Sequence, residues 1–231
     1  MSLPVNELRT LIAGALGGLL LLLRLDAARF ASAEYDSDPE AIDQRGVRLA
    51  WPLMAIVLAI GVGVALPEGL SAIGLGRGSL LSPASIVLAI VGAAVAVVAL
   101  LGLAWLRGAT WPPRLSPPGD TARFAFDSVA TAIVDELTFR GVLLGLLLLA
   151  GIPAGVAFLV QLLLYGLETR LGRSVATLDM LVEALALGAL TGVLAIASGA
   201  VLAPIVAHVV ARFAALELPD SAPALYPRRL L

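Results

Sequence analysis

Long apolar stretches alternate with short polar ones along the chain, and this pattern predicts a series of hydrophobic helices. A helix needs about 20 apolar residues to cross the hydrocarbon core of a bilayer. The stretches that reach or approach this length are 10–23, 49–66, 83–106, 124–150, 154–169, 178–198 and 201–216. Tight turns are predicted at 151–153 and at 198–199, where glycine interrupts the apolar pattern. We therefore predict an all-α fold, a polytopic transmembrane helical bundle of about seven spans.

Small residues recur at a spacing of four within two of these stretches. Gly14 and Gly18 show this spacing in the first span, and Gly188 and Gly192 show it in the sixth. Glycines one turn apart on a helix let a neighbouring helix approach closely. We expect both pairs to lie at helix–helix contacts.

A proline-rich stretch divides the chain. Trp111-Pro112-Pro113 and Pro117-Pro118-Gly119 cannot remain helical, because proline lacks the amide hydrogen and clashes with the preceding turn. The predicted organisation is an N-terminal three-span scaffold with a cytoplasmic loop over 1–119, a four-span core over 120–217 and a C-terminal tail over 218–231.

The amino-acid composition excludes several classes of protein. Hydrophobic residues make up 60% of the 231 residues and charged residues only 14%, so we predict a protein integral to a lipid bilayer, the cell membrane. The chain contains no cysteine, which excludes disulfides, a thiol nucleophile and thiolate metal sites. It also lacks a long basic tract, which argues against a nucleic-acid partner.

The arginines predict the orientation, because all fifteen cationic side chains are arginine. With seven spans, Arg9 and Arg77 fall on one side, Arg140 lies inside the membrane and the other twelve fall on the opposite side. Positive residues favour the cytoplasmic side. The amino terminus is therefore predicted outside and the carboxyl terminus inside. Arg24, at the end of the first span, is expected to extend its side chain to the interface.

Three charged residues stand inside the apolar stretch 124–150. A charge at the centre of a membrane helix costs about 2.5–3.5 kcal/mol on insertion scales, so a cluster of three indicates a site. On a helix, Glu136 and Arg140 are one turn apart and are predicted to pair, while Asp135 points about 100° away and lacks that partner. Asp135 is thus the acid left to take a proton from water. A structural ion pair that locks two helices is the alternative.

The single histidine, His208, lies in the last apolar stretch. Asp135 follows Arg123 by twelve residues, about 18 Å along a helix and near the middle of the membrane, and His208 is at a comparable depth. We predict that an acid and this imidazole share one cavity. Taken alone, a histidine in a membrane helix is more often a hydrogen-bond donor between helices.

The residues around these positions resemble a protein family. The segment 135–141, Asp-Glu-Leu-Thr-Phe-Arg-Gly, resembles the E-E-x-x-F-R-G motif of the CPBP intramembrane proteases, the CAAX prenyl endopeptidase, bacteriocin-processing and Abi-like group. The segment 161–169 resembles that family's F-G-L-x-H motif, and 188–208 is similar to its segment ending in a catalytic histidine. The resemblance extends over about 124–216, in the family's order.

The resemblance implies an intramembrane endopeptidase that hydrolyses a peptide bond in a cavity open to the cytoplasm. The first acid of the motif activates water there, so Asp135 is the expected base, positioned by Glu136 with Arg140. His208 is the expected donor to the oxyanion. The implied substrate is a peptide or protein, including a membrane-anchored or prenylated one.

The departures from the motifs favour an alternative function. Asp135 is one methylene shorter than the family's glutamate, Thr169 stands where the family has its first histidine, and Arg212 stands where it has an asparagine. Losing one oxyanion donor typically lowers the rate by about 10²- to 10³-fold. A catalytically inactive pseudoprotease that binds a peptide or a membrane-protein partner is therefore the main alternative. A proton-coupled transporter is a third reading, disfavoured because no internal repeat is evident.

No cofactor is predicted. One histidine and no cysteine cannot form the usual two-histidine zinc site. The alternative in which Asp135, Glu136 and His208 hold a divalent metal stays open.

Overall fold

The computed structural model describes residues 5–25, 45–106, 121–171 and 178–217. Within these ranges the chain forms helices joined by short turns, and no strand occurs in them. The helices are α1 (Val5–Leu25), α2 (Arg45–Ala65), a 3₁₀ helix (Gly69–Ile73), α3 (Arg77–Leu80), α4 (Pro83–Leu106), α5 (Thr121–Glu136), a π-helix (Leu137–Leu143), α6 (Leu144–Leu149), α7 (Ala154–Leu171), α8 (Leu178–Ser198) and α9 (Leu202–Glu217). The predicted proline-rich boundary at 111–119 and the predicted tail over 218–231 lie outside the described residues.

The predicted all-α class is confirmed, and the chain is a helical membrane bundle. By length and hydropathy, three of the described helices can cross a bilayer on their own: Asn6–Arg24, Pro83–Leu103 and Leu181–Ser198. Shorter apolar helices occupy Ala50–Ala65, Ala154–Leu167 and Leu202–Ala214. The number of spans and their orientation stay predictions.

Helix bounds follow the apolar pattern closely where the pattern is uninterrupted. α4 and α8 occupy the predicted stretches 83–106 and 178–198. α2 is helical from Arg45, the first described residue of its range, and so includes four residues before the predicted start. The turns predicted at 151–153 and at 198–199 are both present. Gly151 has a φ of 77° and Gly199 a φ of 63°, left-handed conformations that favour glycine.

Large apolar side chains are exposed on the outer faces of the bundle, whereas several charged groups are buried inside it. Val57, Ile90, Val98 and Leu163 are each at least 66% exposed. Buried charged or ionisable residues in the described part include Arg24, Asp135, Glu136, Arg140, Glu183 and His208. This arrangement is the reverse of a soluble domain and suits a protein whose solvent is lipid.

The π-helix lies at the centre of the packing. It contacts α1, α2, the 3₁₀ helix, α7 and α8. α9 packs against α4, α5 and α8. The segment predicted to carry the chemistry is therefore enclosed by helices from both halves of the chain.

Glycines allow the closest of these contacts. At Gly188 and Gly192 an added Cβ would lie 2.8 Å from Tyr165 Cδ1 and 2.6 Å from Gln161 Nε2, so the prediction of close packing is confirmed there. The prediction is wrong for Gly14 and Gly18, since no described atom outside their own helix lies within 4 Å of such a Cβ. The spacing rule cannot tell which helix face meets a neighbour.

The 3₁₀ helix rests on two glycines of the central segment. A Cβ on Gly141 would lie 3.0 Å from the carbonyl oxygen of Ile73, and one on Gly145 would collide with the carbonyl oxygen of Ala72. The Val201 N–H donates to the carbonyl oxygen of Gly74 at 3.2 Å, which fastens the same loop to the turn before α9. Glycine at 141 is thus required by the approach of another backbone.

Candidate active site

The charged residues predicted as the site lie where α5 gives way to the π-helix. The stretch predicted as one helix over 124–150 is divided into α5, the π-helix and α6. π-helical turns are rare and occur frequently at functional sites. Asp135 and Glu136 end α5, Arg140 lies within the π-helix, and all three are buried. Sequence spacing gave no sign of this change of helix type.

Glu136 joins two elements of the site. Its side chain is 0% exposed; one carboxylate oxygen, Oε1, lies 2.7 Å from His208 Nδ1 and the other, Oε2, lies 3.3 Å from Arg140 Nε. The predicted pairing of Glu136 with Arg140 is confirmed at ion-pair distance. The contact lacks hydrogen-bond geometry, since neither Oε2 nor Nε has a hydrogen-bond partner among the described residues.

The contact with Glu136 fixes the orientation of His208. The direction of this hydrogen bond depends on the protonation of the two groups: when Glu136 is ionised, its carboxylate can only accept, and Nδ1 of His208 is the donor. In the neutral ring Nε2 is then an acceptor, and it becomes a donor only when the ring gains a second proton. The sequence predicted that Asp135 shares a cavity with this imidazole, and the acid in contact with His208 is Glu136.

Arg140 is held by α7 and α8. Its Nη2 donates to the carbonyl oxygen of Gly188 at 3.1 Å, and its guanidinium carbon lies 4.3 Å from the centre of the Tyr165 ring. The Tyr165 ring also meets His208 edge-on, with 6.4 Å between ring centres. Because a Cβ at Gly188 would lie 3.3 Å from Arg140 Nη2, the glycine makes room for this arrangement.

Asp135 has a partner, contrary to the prediction. Nε of Arg24 donates to Oδ1 of Asp135 at 2.6 Å, and the two side chains are 8% and 4% exposed. The expectation that Arg24 reaches outward to the interface is therefore wrong as well. Side chains on a helix point back toward its amino terminus, so Arg24 extends into the bundle rather than past the end of α1. The two residues are 111 positions apart, and spacing within one helix cannot reveal such a pair.

Arg24 is the second-last residue of α1, which is a candidate span. The depth of Asp135 near the middle of the membrane stays a prediction.

The two motif positions that depart from the family pattern lie on the surrounding helices. Thr169 belongs to α7, and its side chain lies outside the described part of the structure. Arg212 follows His208 by one turn on α9 and is half-buried. The catalytic roles expected for Asp135, Glu136, Arg140 and His208 stay predictions.

Sequence reasoning missed a buried amide. Gln161 is 0% exposed, and neither its Oε1 nor its Nε2 has a hydrogen-bond partner among the described residues. It lies one turn before Tyr165 on α7 and packs against Gly192. A lone amide in the apolar stretch 154–169 was the available signal. For Arg24, the signal was a charge at the very end of an apolar run.

The described residues contain no group of three or more His, Cys, Asp or Glu side chains that could hold a metal ion. Glu136 and His208 meet, while the described partner of Asp135 is a cation.

Comparisons with known proteins bear on the core of the chain. Residues 117–214 match the family model described as type II CAAX prenyl endopeptidase Rce1-like. This match confirms the resemblance to the CPBP proteases. No curated protein and no solved structure matches the chain. The matched segment contains the charged cluster and His208, and it excludes α1 and α2.

Proposed function

We propose that the chain is an endopeptidase that hydrolyses a peptide bond with water activated by Asp135. The match of residues 117–214 to the family model of type II CAAX prenyl endopeptidases supports this proposal. The family match supports a CAAX-type intramembrane protease in general. We propose in addition the roles of the residues, the substrate and the side from which it enters.

One observation carries the assignment of Asp135 as the base. Two carboxylates are adjacent in the chain, and only one of them is fully enclosed. The Glu136 side chain is 0% exposed and contacts His208 and Arg140, while the Asp135 side chain keeps 4% exposure and has one described partner, Arg24, on Oδ1. A base that activates water must be reachable by water and by the substrate carbonyl. This difference in exposure supports Asp135 as the reacting acid and Glu136 as the residue that positions His208.

The proposed reaction assigns a task to each group. Asp135 accepts a proton from water, and the resulting hydroxide attacks the carbonyl carbon of the scissile bond. Negative charge then develops on the carbonyl oxygen, where His208 donates a hydrogen bond from Nε2 in its doubly protonated form. Collapse of the intermediate expels the amine, which takes the proton that Asp135 received. Glu136, fixed by Arg140, holds the His208 ring through Nδ1.

The substrate and its approach follow from the same proposal. A peptide or protein substrate enters from the cytoplasmic side, and a membrane-anchored or prenylated chain suits a site enclosed by lipid-facing helices. We propose the cell membrane as the location.

The test is cleavage of a diverse peptide pool by the purified protein in liposomes, with products identified by mass spectrometry. We expect new peptide ends with the wild type and a loss of at least about 100-fold with Asp135→Ala, the usual lower range for a general base. Glu68→Gln removes an exposed acid on the loop before the 3₁₀ helix and should leave the rate unchanged. Cleavage that survives Asp135→Ala would locate the base elsewhere.

A second candidate function is supported by the contact at Asp135. Arg24 occupies one oxygen of the carboxylate, and Thr169 and Arg212 replace two groups expected at an oxyanion. A non-catalytic member of the family would bind a peptide or a membrane-protein partner in the same place. Saturable binding of peptides that are recovered intact would favour this function over hydrolysis.

A further inference from the structure

The N-terminal part of the chain reaches into the proposed active site. Arg24 of α1 donates through Nε to Oδ1 of Asp135 at 2.6 Å, and both side chains are at least nine-tenths buried. The segment that matches the family begins at residue 117, so this contact links the core to a helix outside the matched segment.

Trp51 of α2 also contacts the guanidinium of Arg24. The guanidinium carbon of Arg24 lies 5.2 Å from the centre of the Trp51 ring, and Trp51 of α2 is 7% exposed. A cation over an indole face is attracted by the ring electrons, and the attraction is stronger where water is excluded. Arg24 is therefore held between a ring of α2 and a carboxylate of α5, which leaves its head group little freedom.

We infer that Arg24 is a positioning residue of the proposed hydrolase. It acts through Asp135: the hydrogen bond to Oδ1 fixes the plane of the carboxylate and leaves Oδ2 to accept the proton from water. The inference rests on the proposed function. It makes the N-terminal helices part of the active site rather than a passive scaffold, because the base would be misdirected without α1.

The competing explanation is an ion pair that only holds helices together. Arg9, on the same helix, offers a matched control for it. Its Nε and Nη2 donate to the carbonyl oxygens of Ala65 and Leu66 at 3.0 and 2.9 Å, which fastens the other end of α1 to the end of α2. Arg9 thus anchors the same helix without touching the charged cluster. A purely structural role for Arg24 predicts that both arginines behave alike.

The experiment compares Arg24→Ala, Arg24→Lys and Arg9→Ala with the wild type, measuring kcat, KM and Tm on the same liposome preparations. A misplacement of about 1 Å in a reacting group can lower a rate by about 100-fold. We expect Arg24→Ala to lower kcat by about that factor with KM nearly unchanged. Arg24→Lys, which keeps the charge, should recover at least about tenfold of the loss. Arg9→Ala should lower Tm and leave kcat per folded molecule as in the wild type.

The outcomes separate this inference from the function it rests on. If the wild type hydrolyses peptides and Arg24→Ala keeps the wild-type kcat, the inference is wrong and the proposed function stands. If no peptide is hydrolysed by the wild type, the proposed function fails and this inference fails with it. Should Arg24→Ala not fold, Arg24→Met replaces it, because methionine keeps much of the side-chain length and cannot donate a hydrogen bond. A kcat equal to that of Arg24→Lys contradicts the inference, and a kcat at least tenfold lower supports it.

Discussion

Glu136 and His208 lie 72 positions apart in the chain, and Oε1 of the carboxylate meets Nδ1 of the imidazole at 2.7 Å, with both side chains at most 2% exposed. The contact joins α5 to α9 and brings together the two motif segments on which the family resemblance depends. It also decides which ring nitrogen of His208 is left for a substrate.

We predict strong energetic coupling between these two residues. Removing one partner of a buried pair leaves the other uncompensated and typically costs about 3–5 kcal/mol of unfolding free energy. Glu136→Gln combined with His208→Ala should therefore cost less than the sum of the single changes. Unfolding of the purified protein in detergent measures the cycle.

The control is a second cycle that pairs Glu136→Gln with Glu68→Gln, which changes an exposed acid on a separate loop. Those two effects should add to within about 0.5 kcal/mol, as expected for distant sites. Additive losses in the Glu136 and His208 cycle would show that the two side chains do not interact.

Gly141→Ala is predicted to destabilise the bundle. The new Cβ would lie 3.0 Å from the carbonyl oxygen of Ile73, a backbone atom that moves only if the whole 3₁₀ helix shifts. Overpacking of this kind typically costs about 1–3 kcal/mol. Gly102→Ala on α4 is the matched control, since no described atom outside its own helix lies within 4 Å of its added Cβ. We expect this control to be neutral or stabilising by up to about 1 kcal/mol, measured as Tm. An equal response of both variants would contradict the packing described for Gly141.

The apolar pattern predicted the helices well, because in a membrane protein the hydrocarbon phase dictates long uninterrupted runs. α4 and α8 were predicted to the residue, and Glu136 with Arg140 was predicted as a pair because their spacing alone places them on one face. The charged cluster also stood out, since buried charge in a membrane helix is costly and rarely accidental.

The features that sequence could not supply all depend on contacts between distant segments. Arg24 meets Asp135 across 111 positions, and no periodicity records which helices become neighbours. Periodicity likewise does not tell which face of α1 meets a neighbouring helix. Gly17 makes the close contact, with an added Cβ 2.8 Å from Leu146 Cδ1, whereas Gly14 and Gly18 do not. The sequence did not predict the π-helix, because the amino-acid composition of this segment does not differ from that of an α-helix.

The predicted orientation is open to direct labelling. The chain has no cysteine, so single cysteines can be introduced and labelled from either side. Ser71 is exposed on the 3₁₀ helix, and Ser71→Cys should react only from outside. Ser37→Cys and Ser116→Cys, at positions outside the described residues, should react only from the cytoplasmic side. Labelling of Ser37→Cys from outside would refute the arrangement of about seven spans derived from the arginines.

Thr169 and Arg212 occupy two positions where the chain departs from the family motifs, and restoring the family residues there should raise the rate of peptide hydrolysis. Thr169→His returns a donor to the position of the family's first histidine, and an oxyanion donor is typically worth about 10²- to 10³-fold. We expect a gain of at least about tenfold in kcat, and a further gain when Arg212→Asn is added. Leu167→His, two residues earlier and on the exposed face of α7, should bring no gain. A gain from Leu167→His equal to that from Thr169→His would contradict the assignment of position 169 to the site.

If Asp135 activates a water molecule, hydrolysis in oxygen-18 water should depend on this residue. Purified protein in liposomes is incubated with a cleavable peptide in labelled water, and the newly formed carboxyl terminus is examined by mass spectrometry. We predict one labelled oxygen in each newly formed carboxyl terminus with the wild type and loss of labelled product with Asp135→Ala, while Glu68→Gln behaves as the wild type. Labelled product formed equally well by Asp135→Ala would contradict the claim.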